Sequence, residues 1–225
     1  MITLHHCVSA RSFRPLWALE EIGVPYELKM LPFPPRVLAR AFMDVNPLGT
    51  IPALTDDTDD ALFMTESSAI CQYLAARYSP GVLDVAPHEA DFGRYLNFLH
   101  FGEATLTFPQ TLVLRYTHLE PLARRQPQIV EDYARWFHAR LRTLVPLLEA
   151  QPYLCAGRFT AADISVGYAL MLAELLGLSE RFAPAIAQYW SRLREREGFL
   201  RAMRAQEAAA LAQNVSTVAA PHLRP

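Results

Sequence analysis

The chain has 225 residues, 52% of them hydrophobic, and 23 acidic against 21 basic side chains leave a formal net charge of −2. That is enough apolar material for one large domain or two modest ones, and it lacks the basic excess that nucleic acid or an anionic membrane surface requires of a partner. Cys7, Cys71 and Cys155 lie far apart and form no C-x-x-C pair, so neither a disulfide framework nor a zinc site is expected. No stretch has a signal peptide's charged start and long apolar centre, and no apolar run reaches the length of a membrane span. A soluble, cytoplasmic protein is expected.

In chain order, Ile2 to Cys7 reads as a short buried strand. Phe13 to Gly23 reads as a helix with Leu16, Leu19 and Ile22 at helical spacing, Ser12 as its N-cap, Pro15 in its first turn and Gly23 as its stop. Tyr26 to Leu31 is the next strand, and a proline-rich turn from Pro32 to Pro35 leads to a helix near Arg36 to Asp44. The runs PALTDD and ALFM form a hairpin around Asp57 to Asp60, and a further helix opens at Thr65. The order is strand, helix, strand, helix, hairpin, helix, which makes residues 1–80 an α/β domain. A turn-rich linker follows Tyr78, and beyond it residues 88–214 have helical periodicity throughout, in runs Glu89–His118, Arg124–Ala150, Ala161–Leu176, Glu180–Glu195 and Gly198–Gln213. The tail after Asn214 is expected to fray. In FTAADI, Thr160 and Asp163 have the spacing of a capping box, and Phe159 and Ile164 that of a hydrophobic staple. This is a helix-start device with a structural role.

The stretch NPLGTIPALTDDTDDALFMTESSAI, Asn46 to Ile70, sets a proline just ahead of a strand and, one hairpin later, an acid and serines at a helix start. Pro52 removes a backbone donor where pairing should begin, which makes sense if Ile51-Pro52 is cis and the backbone of Ile51 pairs with something outside the sheet. The free N–H groups at the start of the following helix would face the same neighbourhood. Together these features describe a socket for an extended, acidic, peptide-like ligand.

The segments SARSFRPLWALEEIGVPYEL, NPLGTIPAL, MTESSAICQYLAARY and FTAADISVGYAL, in this order and spacing, resemble the cytosolic glutathione S-transferase family. The first is similar to a serine-type bacterial and fungal subgroup outside the best-studied classes. The resemblance implies a thioredoxin-like βαβαββα domain followed by an all-helical one, glutathione as co-substrate, and a homodimer. It implies that Pro52 is cis, that Ile51 binds the cysteinyl backbone of glutathione, and that Glu66 and Ser67 hold the ammonium and α-carboxylate of its γ-glutamyl end. The glycine end falls beside Thr50, where the family often has lysine or glutamine, with Arg40 or Arg36 as substitutes.

A free thiol is mostly protonated at neutral pH, so the chemistry needs a donor that stabilises the thiolate. Counting back from Leu19-Glu20-Glu21, the resemblance puts Ser9 there, with Ser12 as its rival and Arg11 as a further cation. The alternative is that both serines only shape the turn. Cys7, inside the strand run, reads as a core residue. His100, Glu103, Thr107 and Phe108 on the long helix are candidates for an electrophile pocket, although a lone histidine on such a helix is often structural. His5 and His6 point to opposite faces of a strand and make a poor metal pair, so no metal is expected. The leading reading is transfer of glutathione to a small hydrophobic electrophile or peroxide. The alternatives are glutathione-dependent peroxide or disulfide reduction without a protein cysteine, and a non-catalytic glutathione-binding scaffold.

Overall fold

Strand β1 (Ile2–His6) is an inner strand of a four-stranded sheet in the computed structural model, which describes residues 1–58 and 62–219. After helix α1 (Phe13–Ile22), β2 (Tyr26–Met30) pairs parallel to β1 with Ile2 opposite Tyr26. On the other side of β1 runs β3 (Ala53–Asp56), antiparallel with Ile2 opposite Asp56, and β4 (Leu62–Met64) closes the sheet in the order β2-β1-β3-β4. Between β2 and β3 the expected single helix divides into α2 (Pro35–Leu38) and a 3₁₀ turn, Arg40–Asp44, because Ala39 leaves helical geometry at φ −139°, ψ 62°. Helix α3 (Ser67–Tyr78) completes a thioredoxin-like βαβαββα arrangement. The tip of the hairpin turn expected at Asp57 to Asp60 lies outside the described residues.

The segment Pro80–Glu195 forms a separate helical unit. Its first helix runs without a break from α4 (Phe92–His100) through a π segment (Phe101–Thr107), α5 (Phe108–Leu114) and a second π segment (Arg115–Leu119). Then come α6 (Pro127–Leu141), α7 (Val145–Ala150), α8 (Ala161–Leu175) and α9 (Pro184–Arg194), with Pro127 and Pro184 at first-turn positions where a missing N–H costs nothing. Helix α8 is buried continuously over Ala161–Ala173 and is the centre of this unit, as a helix apolar on all sides must be. Gly102 lets the long helix approach it: a Cβ there would overlap Ser165, whose hydroxyl donates to Leu99 O at 2.6 Å. No helix among the described residues is long and apolar enough to cross a membrane.

Helix α10 (Glu197–Ala212), which the sequence places with the helical domain, packs instead in the first unit. Phe199, Ala202, Gln206 and Ala210 form its buried face. Phe199 meets Phe13 and Trp17 edge-on at 5.4 and 5.0 Å, and Arg196 donates to both oxygens of Glu21 at 2.7 and 2.9 Å. With α3 and α10 both against it, α1 is buried over the whole of Phe13–Leu19, a wider face than Leu16, Leu19 and Ile22 alone. Of the tail expected to fray after Asn214, residues 220–225 lie outside the described residues, and Val215 at its start is held in place. The Gln213 amide accepts from Met30 N–H and donates to Leu28 O, both at 2.8 Å, so it pairs with the open edge of β2. Val215 then bonds to Ala210 O at 2.8 Å and packs beside Val8 and Met30.

Candidate active site

Three segments of the first unit converge. Cys7 and Ala10, from the loop after β1, share an apolar cluster with Phe42, Ile51 and Ala53, so this loop lies against the residue that precedes Pro52. The Ile51-Pro52 peptide is cis. Buried Asn46 shapes the approach to it, donating to Thr50 O at 2.7 Å and accepting from Leu48 N–H at 3.2 Å. Gly49 has φ +60°, and a Cβ there would stand 2.8 Å from Arg36 Cβ, so glycine is needed for both conformation and space. No hydrogen bond within the described residues uses the N–H or C=O of Ile51. Thr50 is exposed beside it. Arg36 backs onto Gly49, whereas Arg40 is exposed on the 3₁₀ turn.

The start of α3 adds charge. Glu66 is the N-cap residue, with extended backbone (φ −88°, ψ 114°), and its C=O accepts from Ile70 N–H at 2.8 Å. Its side chain makes no cap bond and is exposed, which leaves the carboxylate available to a cation from solution. Ser67 is buried and its Oγ accepts from Arg14 Nη1 at 3.3 Å. A guanidinium only donates, so the hydroxyl hydrogen of Ser67 points elsewhere. Arg14 is 0% exposed and carries a permanent charge, which adds to the positive potential of the helix N-terminus. Sequence reasoning missed Arg14; the signal was a charge inside the otherwise apolar run Phe13 to Leu19.

The two serines differ sharply. Ser12 stands at the N-cap position of α1, but its backbone is helical (φ −64°, ψ −9°) and its side chain caps nothing. The side chain of a cap reaches forward from extended backbone; from this geometry Ser12 Oγ turns back, accepting from Cys7 N–H at 3.3 Å and donating to Cys7 O at 3.5 Å. Ser9 has φ +53°, and its N–H donates to Gln206 Oε1 at 2.9 Å while its Oγ accepts from Gln206 Nε2 at 3.3 Å. Arg11 lies half-buried between the two serines. Burial pushes the Cys7 and Cys71 thiols up to about 12 and Cys155 to about 11, so all 3 cysteines are poor nucleophiles.

Within the helical unit, Leu96, Asn97, His100, Phe101, Ala104 and Thr105 line a cavity of about 360 Å³. His100 is on its wall, and Glu103, Thr107 and Phe108 are not among its lining residues. Thr107 is fully buried with its hydroxyl on Gly102 O at 2.8 Å, and Phe108 is exposed. The π segment changes the phase of the helix at this point. Pro109 brings no N–H to the ladder, and Gln110 and Thr111 side chains bond the carbonyls of Leu106 and Thr107 at 3.0 and 3.2 Å. Among the described residues no group of His, Cys, Asp and Glu is arranged to hold a metal ion.

A family model described as "Glutathione S-transferase, N-terminal domain" matches residues 8–77. Glutathione S-transferase 3 of Schizosaccharomyces pombe is 28% identical over 193 residues, 80% of this chain and 78% of the relative. Glutathione S-transferase hmp2 of Hypomyces subiculosus is 29% identical over 174 residues, 72% of this chain and 78% of the relative. Among solved structures, the glutathione transferase URE2P6 of Phanerochaete chrysosporium, in complex with oxidized glutathione, is 27% identical with a TM-score of 0.80, covering 91% of this chain and 95% of that one. The segment that resembles the N-terminal domain of glutathione S-transferases is thus the one that folds into the thioredoxin-like unit with the cis Ile51-Pro52 peptide, and the likeness to a solved glutathione transferase extends through the helical unit.

Proposed function

We propose that this protein is a glutathione transferase that holds glutathione along Ile51, Glu66 and Ser67, lowers the pKa of its thiol through the Ser9 hydroxyl, and delivers the thiolate to a small hydrophobic electrophile. The observation that carries this reading is the convergence of the Ser9 loop, the cis Ile51-Pro52 turn and the open start of α3 in one unit. Glu66 pairs with the γ-glutamyl ammonium, and Ser67 and the N–H groups of α3, backed by Arg14, take the α-carboxylate. Ile51 pairs with the cysteinyl backbone as an added strand does, and Thr50, with Arg36 or Arg40, meets the glycine end. Ser9 outranks Ser12 as the activating group because Ser12 Oγ is engaged on both sides by the Cys7 backbone. The protein acts as a cytoplasmic homodimer.

The buried state of the 3 cysteines also favours glutathione, and not a protein thiol, as the only sulfur nucleophile, a chemistry that serves peroxides as well as aryl halides. The test is a side-by-side assay with an aryl halide, an organic peroxide and a small mixed disulfide. Turnover of the first or second that falls about 100-fold in Ser9→Ala, with glutathione affinity kept, is the expected result. Absence of turnover with all three, despite tight glutathione binding, would make the protein a scaffold.

A further inference from the structure

We infer that Gln206, on the C-terminal helix α10, sets the direction in which the Ser9 hydroxyl donates and is therefore a positioning residue for thiol activation; the inference rests on the role of Ser9 proposed above. The geometry determines the polarity of this network without choice. A backbone N–H can only donate, so the Gln206 atom 2.9 Å from Ser9 N is the oxygen. The other end of the same amide, 3.3 Å from Ser9 Oγ, is then the nitrogen, which can only donate. Ser9 Oγ accepts, and its own hydrogen is left for an acceptor outside this network.

His6 follows the same logic. Its Nε2 lies 3.0 Å from Gln206 Oε1 and must carry the hydrogen. Burial, only partly opposed by hydrogen bonding to Gln206 and Ser12, pushes His6 down to about 4, so the ring is neutral at physiological pH. Gln206 Oε1 thus gathers two donors, one from β1 and one from the loop after it, and Gln206 is itself 3% exposed. The two bonds to Ser9 hold a non-glycine residue at φ +53°, in the left-handed region it would otherwise rarely visit. Accepting from an amide also polarises the Ser9 O–H, which strengthens its donation to an anionic sulfur. Arg14 stands in the same relation to Ser67, a donor-only group behind a serine.

The test compares Ser9→Ala, Gln206→Leu, the double variant and Gln206→Glu, using kcat with an aryl halide, the ultraviolet thiolate absorbance of bound glutathione at neutral pH, and calorimetric glutathione affinity. Gln206→Glu keeps an oxygen for Ser9 N–H and His6 but presents a second acceptor to Ser9 Oγ, capturing its hydrogen. Both Gln206 variants are expected to lose at least about tenfold in kcat and most of the thiolate absorbance, with glutathione affinity within about threefold of the parent. Gln206→Leu should add nothing to Ser9→Ala in the double variant. If Gln206→Leu fails to fold, Gln206→Glu carries the comparison. Parental kcat in the Gln206 variants beside an impaired Ser9→Ala would overturn this inference alone, as would multiplying losses in the double variant or equal losses in affinity and kcat. An unimpaired Ser9→Ala would overturn the activation reading and this inference with it.

Discussion

Helices α3 and α8 both open on threonine and acid, Thr65-Glu66-Ser67 and Thr160-Ala161-Ala162-Asp163, yet they treat their free N–H groups in opposite ways. At α8 the helix closes on itself: Thr160 Oγ1 accepts from Ala162 N–H at 3.3 Å, and Asp163 accepts from Thr160 N–H at 2.9 Å. Asp163 also takes Leu154 N–H at 3.1 Å and the Tyr189 hydroxyl at 2.8 Å, and it is 0% exposed. At α3 the acid has moved one place outside the helix, faces solvent and caps nothing, while a buried arginine stands behind the first serine. The position of one carboxylate thus separates a helix start capped by its own acid from one whose acid faces solvent.

The comparison breaks most visibly at Asp163. Asp163→Ala strips the acceptor from two buried N–H groups and a buried hydroxyl, at about 1–3 kcal/mol for each group left unpaired. A loss of roughly 3 kcal/mol or more in chemical denaturation is expected, with glutathione affinity of the folded fraction unchanged.

A pH series sharpens it. Burial pushes Asp163 up to about 6 from its ordinary 3.8, in spite of the hydrogen bonds it accepts. Between those values the folded chain holds a proton that the unfolded chain has released, so this group makes stability fall as pH rises from about 4 to 6. Asp56 of β3 behaves oppositely. Burial raises it, but hydrogen bonds from Tyr78, Thr58 and Tyr73 outweigh that and bring it to about 2. Its contribution is lost only as pH falls from 3.8 towards 2. Denaturation midpoints of Asp163→Asn should lose the upper slope and keep the lower one.

The smallest effect is Thr160→Ala, which removes one cap hydroxyl and should cost about 1 kcal/mol, seen as a modest drop in melting temperature.

Much of this contrast is legible in the sequence. The α8 box, the cis proline and the acid-serine pair at α3 are local patterns whose meaning depends on residues within a few positions. Arg14, Gln206 and Gln213 are not, because a polar side chain on a helix or at its end takes its role from the partner the fold supplies: Ser67, the Ser9 loop and the edge of β2 respectively. Gln206 did leave a trace, as the polar member of the face Phe199, Ala202, Gln206 and Ala210. The side-chain directions along the long helix are not legible for another reason. Regular 3.6-residue phasing cannot anticipate the π segment at Phe101–Thr107, which turns Thr107 inward to Gly102 O. The placement of α10 failed likewise, since its helical periodicity says nothing about which unit receives its apolar face.

The central claim is that the open start of α3 is where glutathione is held. Its most direct test is calorimetric titration of glutathione into Glu66→Ala and Ser67→Ala beside Thr160→Ala, with the melting temperature of each recorded. Removing a polar or charged partner of the ligand should weaken binding by about 1.5–3 kcal/mol, or roughly 10- to 100-fold, in the two α3 variants; the melting temperature of Glu66→Ala stays near the parent's, and that of Ser67→Ala falls through the lost hydrogen bond from Arg14. Thr160→Ala should show the reverse of Glu66→Ala, parental affinity and a lower melting temperature. Parental glutathione affinity in both α3 variants would contradict the account.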